Sequence, residues 1–184
     1  MSWIPTHLEG VWVFEPKVWN DARGYFVETF NASALPDEIR NTTFVQDNEA
    51  KSTKGVLRGL HYQLPPFAQA KLVRCVQGEV LDVIVDVRPG SKTYGQYLSV
   101  ILNEISKKQL FVPHGFAHGY VVLSDTAVFA YKCDQFYHPI AEGGLNYNDP
   151  QLAIDWILPL ESLIVSDKDL ILPNLNEHKP FQAS

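Results

Sequence analysis

The sequence predicts an all-β domain of the sandwich or barrel class, and two observations carry that prediction. Short runs of β-branched and aromatic residues recur along the chain, with turns between them. Twelve prolines, eleven glycines and 12% aromatic residues favour strands and turns over long helices. Because 184 residues suffice for one core but are few for two, residues 1–184 are predicted to form a single domain.

The predicted elements follow from local hydrophobic alternation and from turn residues. An opening hairpin is expected from strands 11–14 and 25–30 around a turn at 20–24, followed by a short helix over 32–39 with Asn31 as its N-cap. The chain then extends over 43–46. Further strands are predicted over 56–63, 71–76, 79–87, 94–102, 109–112, 120–123 and 127–133. After residue 147 the chain is less regular, with a helical turn near 151–154 and a loop over 166–169, and is expected to wrap the sheet.

The strand after Gly78 carries acids on one of its faces. One face of this strand is entirely apolar, whereas the other alternates Asp82 and Asp86 with valine and isoleucine. Alternating acids are typical of a solvent-exposed face, which is the expectation for Asp86. Asp82 is expected to line a cavity instead.

Composition limits the function classes. A net charge of -6 argues against binding a nucleic-acid polymer, although a few local cations could still hold one small phosphorylated ligand. The N-terminal segment has no leader-like pattern and no apolar run is long enough to span a bilayer, so a cytoplasmic protein without a membrane partner is expected. Cys75 and Cys133 lack metal-finger spacing and are predicted to be reduced core thiols.

Three groups with useful chemistry lie within the strand-rich stretch 57–71. Arg58 offers a fixed positive fork, His61 a base that titrates near neutral pH, and Lys71 a compact ammonium group. Together they predict a pocket for an anion in which a proton is moved. Strict strand alternation would send Arg58 and His61 to opposite faces, so a bulge at Gly59 or a site shared between subunits is needed to bring them together.

The segment 113–119, Pro-His-Gly-Phe-Ala-His-Gly, resembles the Pro-x-Gly-x-x-His signature of cupin barrels. Metal-binding cupins add a His-x-His pair from an earlier strand, but here that strand reads His61-Tyr62-Gln63. Since the second histidine is missing, the expected metal cage cannot be built from that motif. The resemblance therefore indicates a jelly-roll barrel with no metal and no other cofactor.

A metal-free pocket of this composition suits proton removal beside a ketone. That reaction needs a base, a donor at the oxygen that becomes an enolate, and an acid on the opposite face. His61 is the candidate base and Lys71 the candidate oxyanion donor. Tyr131 and Tyr137 are both candidates for the acid. Asp169 and Asp82 are both candidates for the carboxylate that orients the base.

Motifs along nearly the whole chain closely resemble the dTDP-4-dehydrorhamnose 3,5-epimerase family. They include Asp-Ala-Arg-Gly-Tyr-Phe-Val-Glu at 21–28, Phe-Val-Gln-Asp-Asn at 44–48, Val-Leu-Arg-Gly-Leu-His-Tyr-Gln at 56–63, Lys-Leu-Val-Arg-Cys at 71–75 and Ser-Asp-Lys-Asp at 166–169. The resemblance implies an isomerase that converts dTDP-4-dehydro-6-deoxy-D-glucose to dTDP-4-dehydro-L-rhamnose, in dTDP-L-rhamnose biosynthesis. It also implies a homodimer in which the N-terminal strand of one subunit reaches into the other.

Site residues follow from the same resemblance. It makes His61 the general base, Tyr131 the general acid, Asp169 the partner of His61, and places Lys71 at the C4 oxygen of the sugar. Arg58, Gln46 and Asn48 would hold the sugar and diphosphate, and Asp47 belongs to the same motif. The further nucleotide- and substrate-binding positions implied are Arg23, Glu28, His118, Tyr137, Glu142 and Lys168, of which Arg23 and Glu28 would serve the partner's site.

Three other functions remain open from the sequence. Related enzymes that invert only C3 or only C5 of a similar dTDP-4-keto-6-deoxy sugar carry similar motifs. A non-catalytic cupin could bind a sugar nucleotide without turnover or serve as a structural dimer. A metal-dependent cupin oxygenase would instead use His61, His114 and His118.

Overall fold

The computed structural model describes residues 1–182, and β-strands dominate it. The strands are β1 (Ser2–Pro5), β2 (Trp12–Glu15), β3 (Val18–Asp21), β4 (Gly24–Val27), β5 (Gln46–Thr53), β6 (Val56–Gln63), β7 (Lys71–Gln77), β8 (Glu79–Asp86), β9 (Tyr97–Asn103), β10 (Gln109–Val112), β11 (Phe116–Val122), β12 (Thr126–Cys133), β13 (Glu142–Gly144) and β14 (Ile164–Val165). The helices are short: 3₁₀ turns at Ala32–Ala34, Asp37–Ile39, Pro139–Ala141 and Leu160–Ser162, and helix α1 (Asp167–Leu170).

Two sheets and one hairpin organise these strands. The first sheet has the order β1-β2-β10-β7-β12-β5, and the second has the order β13-β6-β11-β8-β9. Strand β14 adds to β6 in parallel, whereas the other pairings are antiparallel. Strands β3 and β4 form a separate hairpin. The all-β prediction is therefore confirmed.

The main core lies between the two sheets. Val73, Leu110 and Phe129 of the first sheet pack into one buried cluster with Ile84 and Phe116 of the second. Burial of apolar side chains from two facing sheets is what stabilises a β-sandwich or jelly roll. One end of this interior stays open as a groove, which is described below.

Irregular segments cover the outer faces of both sheets. The apolar face of β8 that the sequence predicted packs against the C-terminal part of the chain, including Leu145 and Trp156. Leu35 and Ile39, from the 3₁₀ turns, cover Phe111 on the first sheet. The C-terminal part thus wraps a sheet, as the sequence predicted.

Most strand predictions in the middle of the chain are confirmed, but several local predictions are wrong. The hairpin joins β3 to β4, while residues 12–15 pair instead with β1 and β10. Residues 166–169 form the N-terminus of α1 rather than a loop. The helix predicted over 32–39 is two 3₁₀ turns separated at Pro36, although Asn31 does cap the first, accepting a hydrogen bond from the backbone N–H of Ser33 (3.0 Å).

The prediction that Asp86 faces solvent is also wrong. Its side chain is 0% exposed and accepts hydrogen bonds from the Arg88 guanidinium (2.7 and 2.9 Å) and from the hydroxyls of Ser91 and Thr93 (2.6 Å each). Strand alternation identifies which residues share a face, but the loop after β8 supplies partners that make burial tolerable.

Cys75 and Cys133 are buried and not disulfide-bonded, as predicted. None of the helices within residues 1–182 has the length and apolarity that a membrane span needs.

Candidate active site

A bulge in β6 places Arg58 and His61 in the same cavity. His118 and Tyr120 lie two residues apart on β11, yet they pair with His61 and Arg58, which lie three residues apart on β6. Gly59 occupies the irregular position with φ +124°, and a Cβ there would lie 2.6 Å from the backbone of β11. Of the two ways considered to bring Arg58 and His61 together, the structure shows a register irregularity at Gly59, and both side chains line one cavity.

His61 is paired with a carboxylate from the C-terminal helix. Nε2 of His61 lies 2.6 Å from Oδ1 of Asp169, and the backbone N–H of Gly59 donates to Oδ2 (3.2 Å). Burial alone would raise the pKa of Asp169, but hydrogen bonds from His61, Gly59 and Ser166 hold it below its ordinary value. An ionised carboxylate only accepts hydrogen bonds, so Nε2 carries the proton and Nδ1 is left free to act as a base.

The cavity is a groove with two lobes that meet at His61, Lys71 and Tyr131. These groups come from different sheets, with His61 on β6 of the second sheet and Lys71 and Tyr131 on β7 and β12 of the first. The larger lobe, about 520 Å³, is also lined by Arg58, His118, Tyr120, Ser166, Lys168 and Asp169. The smaller lobe, about 240 Å³, is also lined by Gln46, Asn48, Cys133, Tyr137 and Glu142.

Burial adjusts the protonation of the two groups that share this groove with His61. It lowers the pKa of Lys71, and the neighbouring Cys133, Asp82 and Glu142 partly offset that lowering. Burial raises the pKa of Tyr131, so its phenol stays protonated over a wide pH range and can donate a proton. A base, a cationic donor and a neutral phenol thus line one pocket.

A second histidine–carboxylate pair lies deeper in the barrel. Nε2 of His118 is 2.8 Å from Oδ2 of Asp82, and Oδ1 of Asp82 has no hydrogen-bond partner among the described residues. Burial raises the pKa of Asp82, while His118 and Lys71 oppose that rise. Asp169, and not Asp82, is therefore the carboxylate that contacts His61.

Several candidate binding residues form a connected rim around the groove. Lys168 donates to Oε1 of Glu142 (2.6 Å), and the hydroxyl of Tyr137 donates to Oε2 of the same carboxylate (3.1 Å). Next to Tyr137, whose backbone N–H donates to Oε1 of Gln46 (3.2 Å), the side-chain amide of Gln46 donates to Asn48 (3.0 Å). These side chains present both donors and acceptors to a ligand.

Arg58 is held by a residue that the sequence did not single out. Its Nε and Nη2 atoms donate to the hydroxyl of Ser52 (3.3 and 3.2 Å) on β5. Tyr120, which also lines the groove, stacks on Phe129 with ring centroids 4.1 Å apart. The alternation of polar residues along β5 was the available signal for Ser52, whereas the sequence identified Tyr120 only as the start of a strand.

Three of the predicted site residues lie away from the groove within this chain. Arg23, whose side chain is 90% exposed, pairs with Asp21 on the β3–β4 hairpin (2.6 Å). Glu28 follows that hairpin and accepts a hydrogen bond from Asn31 (3.3 Å). Asp47 pairs with Lys132 (2.9 Å), beside an adjacent cavity of about 300 Å³.

The three histidines of the oxygenase alternative do not converge. His61 and His118 both line the groove, but His114 pairs with Asp134 (2.8 Å) beside a different cavity. Across residues 1–182, no group of three or more His, Cys, Asp or Glu side chains is placed to hold a metal ion. The geometry instead brings together a histidine–carboxylate pair, a lysine and a phenol. This fold and this site are those of a β-barrel protein whose groove contains the groups that a proton transfer would need.

Comparison with known proteins identifies the family. The profile of the dTDP-4-dehydrorhamnose 3,5-epimerase family matches residues 5–177. The dTDP-4-dehydrorhamnose 3,5-epimerase of Shigella flexneri is 51% identical over 171 residues, covering 92% of this chain and 93% of that protein. This chain therefore belongs to the dTDP-4-dehydrorhamnose 3,5-epimerase family, and the resemblance seen in its motifs is confirmed.

Solved and curated relatives extend the comparison. The crystal structure of a dTDP-6-deoxy-D-glucose-3,5-epimerase from Legionella pneumophila, in complex with dTDP-4-keto-L-rhamnose, matches with a TM-score of 0.91 at 46% identity, covering 99% of each chain. The cupin jelly-roll prediction is confirmed by such neighbours. A dTDP-4-dehydrorhamnose 3-epimerase from Streptomyces niveus is 37% identical over 169 residues, covering 91% of this chain and 82% of that protein.

Proposed function

We propose that this protein converts dTDP-4-dehydro-6-deoxy-D-glucose to dTDP-4-dehydro-L-rhamnose by inverting C5 and C3. The observation that carries the proposal is the groove in which the His61–Asp169 pair, Lys71 and Tyr131 meet. Family membership supplies the substrate class, and the groove supplies the groups that the reaction needs.

Each inversion passes through an enolate of the C4 ketone. His61 removes the proton from the carbon next to the ketone, and Asp169 stabilises the imidazolium that forms. Lys71 stabilises the negative charge that develops on the C4 oxygen. Tyr131 then delivers its proton to the opposite face of the carbon. Since a sugar C–H is far less acidic than imidazolium, enolate stabilisation and positioning must supply most of the barrier reduction.

The rim residues are proposed to hold the nucleotide part of the substrate. Arg58 supplies a guanidinium fork for the diphosphate, with Gln46 and Asn48 as hydrogen-bonding neighbours. His118, Tyr137, Glu142 and Lys168 are proposed as further contacts to the sugar and the nucleotide. No metal or other cofactor is required in this scheme, so a chelator is expected to leave turnover unchanged.

A homodimer is proposed to complete the site. In the single chain, Arg23 and Glu28 do not line the groove, and the β3–β4 hairpin exposes Tyr25 and Phe26, the latter to 68%. Exposed aromatic side chains of this kind are typical of a surface that meets a partner. We assign Arg23 and Glu28 to the site of the neighbouring subunit.

The test is proton NMR of the 4-keto sugar nucleotide with the enzyme in deuterated water. The wild type is expected to form product with deuterium at C3 and C5. His61→Ala is expected to lose both signals. His114→Ala, which breaks the His114–Asp134 pair outside the groove, is expected to keep them. Exchange by His61→Ala at the wild-type rate would eliminate His61 as the base. Exchange at one carbon alone would identify a single-position epimerase, and binding without exchange would reject the enzyme proposal.

A further inference from the structure

The side chain of Tyr120 ends in a buried hydroxyl that lines the groove. Tyr120 is 4% exposed, its ring stacks on Phe129, and its hydroxyl has no hydrogen-bond partner among residues 1–182. An unpaired buried hydroxyl is costly, and a phenylalanine would fill the same space without that cost. Because Tyr120 lines the larger lobe of the groove, a ligand can supply the missing partner.

The polar groups beside Tyr120 do not accept its proton. Arg58 lies directly opposite on β6, and a guanidinium only donates hydrogen bonds. Ser52 offers two lone pairs, and these are taken by Nε and Nη2 of Arg58 (3.3 and 3.2 Å). Asp82, which lies opposite Tyr120 on β8, also leaves Oδ1 unpaired, so the two groups do not bond to each other. The Tyr120 hydroxyl is therefore a donor whose acceptor lies outside residues 1–182.

The phenol of Tyr120 keeps its proton at neutral pH. Burial raises the pKa of Tyr120, and the nearby Arg58 and Ser52 only partly offset that rise. Since a neutral phenol can donate to an oxygen atom, the expected partner is an oxygen acceptor on a ligand bound in the larger lobe.

Strand β11 places this donor at a definite level of the groove. His118 lies opposite His61, and Tyr120, two residues further on the same face, lies opposite Arg58. In the proposed reaction His61 acts at C3 and C5 of the sugar, and Arg58 holds the diphosphate on C1. The sugar hydroxyl that lies between C1 and the reacting carbons is that of C2.

We propose that Tyr120 donates a hydrogen bond to the C2 oxygen of the sugar and makes the site select sugars that carry a hydroxyl there. The inference rests on the proposed function, which supplies the substrate class and the placement of the diphosphate. When such a sugar binds, the buried phenol gains its missing partner. A 2-deoxy sugar displaces water from the groove but leaves the phenol unpaired, so it binds more weakly.

Calorimetric titration with unreactive ligands tests the assignment without turnover. dTDP-glucose and dTDP-2-deoxyglucose both lack the C4 ketone, and they differ from each other only in the C2 hydroxyl. The wild type is expected to bind dTDP-glucose about tenfold more tightly than dTDP-2-deoxyglucose. Tyr120→Phe is expected to reduce this ratio about tenfold by weakening the binding of dTDP-glucose, while its affinities for dTDP-2-deoxyglucose and for dTDP stay at the wild-type values.

Tyr94→Phe is the matched control for this titration. It removes the same phenolic hydroxyl from a residue that is 40% exposed and does not line the groove. The ratio of affinities for the two sugar nucleotides is expected to stay at the wild-type value in this variant.

Three results would overturn the assignment. An unchanged ratio in Tyr120→Phe would show that the hydroxyl does not contact the C2 oxygen. Equal weakening of dTDP and both sugar nucleotides would place the hydroxyl at a phosphoryl oxygen. A lower midpoint of urea unfolding for ligand-free Tyr120→Phe would show that the hydroxyl already has a partner within the protein. These titrations do not depend on catalysis, so their outcome is separate from the exchange experiment that tests the proposed function.

Discussion

Asp82 and Asp86 lie on the same face of β8 and are both 0% exposed, yet their surroundings differ sharply. Asp86 accepts five hydrogen bonds from Arg88, Ser91 and Thr93, which hold its pKa below the ordinary value even though burial acts to raise it. Among residues 1–182, the Asp82 carboxylate has one hydrogen-bond partner, His118, and burial raises the pKa of Asp82. The fully paired acid is held by the loop after its own strand, whereas the incompletely paired acid contacts His118, which lines the candidate active site.

Removing Asp86 should produce the largest effect. Asp86→Ala leaves the partly buried Arg88 guanidinium without its carboxylate and two hydroxyls without an acceptor. We expect a loss of about 3–4 kcal/mol in the free energy of unfolding, measured in urea at pH 7. Asp21→Ala, which removes the exposed partner of Arg23, is the control and should leave the midpoint unchanged. An equal midpoint for both variants would contradict the structural role of Asp86.

Asp82→Asn should lower activity without lowering stability, whereas Asp86→Ala should lower stability. The folded protein loses a buried charge that burial disfavours, so the unfolding midpoint at pH 7 should stay level or rise. The Asp82 charge also supports the cationic form of Lys71, so its loss should lower the pKa of Lys71 further. We expect kcat/KM to fall about tenfold, equivalent to about 1.4 kcal/mol, and the basic limb of the pH–rate profile to move to lower pH. The same profile for Asp86→Asn should keep its basic limb, and a shift there instead would reverse the assignment.

Thr93→Val tests a single contact of the paired acid. The substitution keeps the branched shape but removes one hydroxyl hydrogen bond to Asp86. We expect a loss of about 1 kcal/mol in the free energy of unfolding, with no change in epimerisation rate. Loss of activity without loss of stability would show that the loop after β8 is energetically coupled to the groove.

The smallest expected effect concerns how folding stability depends on pH, because the contributions of Asp86 and Asp82 should change in opposite directions. The folded-state pKa of Asp86 is lowered, so its stabilisation is present above the ordinary carboxyl value and is lost as pH falls through the folded pKa. The folded-state pKa of Asp82 is raised, so its contribution is present at low pH and is lost as pH rises through the folded pKa. As the pH falls from 7 to 3, the free energy of unfolding of the wild type should decrease relative to that of Asp86→Asn. Over the same range it should increase relative to that of Asp82→Asn. Urea unfolding at each pH measures both, and slopes of equal sign would refute the comparison.

Sequence reasoning located the chemistry of β6 and β7 because Arg58, His61 and Lys71 lie close together in the chain. It could not decide between Asp82 and Asp169 as the partner of His61, because contact between residues 108 apart depends on how the C-terminal segment wraps the second sheet. The residue-level resemblance favoured Asp169, and the geometry agrees.

The extended segment predicted over 43–46 shares only Gln46 with the observed β5, so the prediction of this strand is wrong. Strand β5 was missed for a physical reason. Its inward-facing side chains are Gln46, Asn48, Ala50 and Ser52, and these face the groove rather than an apolar core. Since hydrophobic alternation reports burial against a core, a strand that lines a polar site lacks that signal. The prediction for Asp86 was wrong for the opposite reason: a polar residue on a strand can be buried when a later loop supplies its hydrogen-bond partners.

The C-terminal segment has a consequence for the biogenesis of the site. Strands β13 and β14 both attach to β6, and α1 delivers Asp169 beside His61. Because synthesis proceeds from the N-terminus, the ribosome makes the base, the lysine and the phenol well before it makes the carboxylate. A chain released before residue 169 would therefore lack the carboxylate partner of His61, and it would also lack Leu175 and Phe181, which are buried against the second sheet.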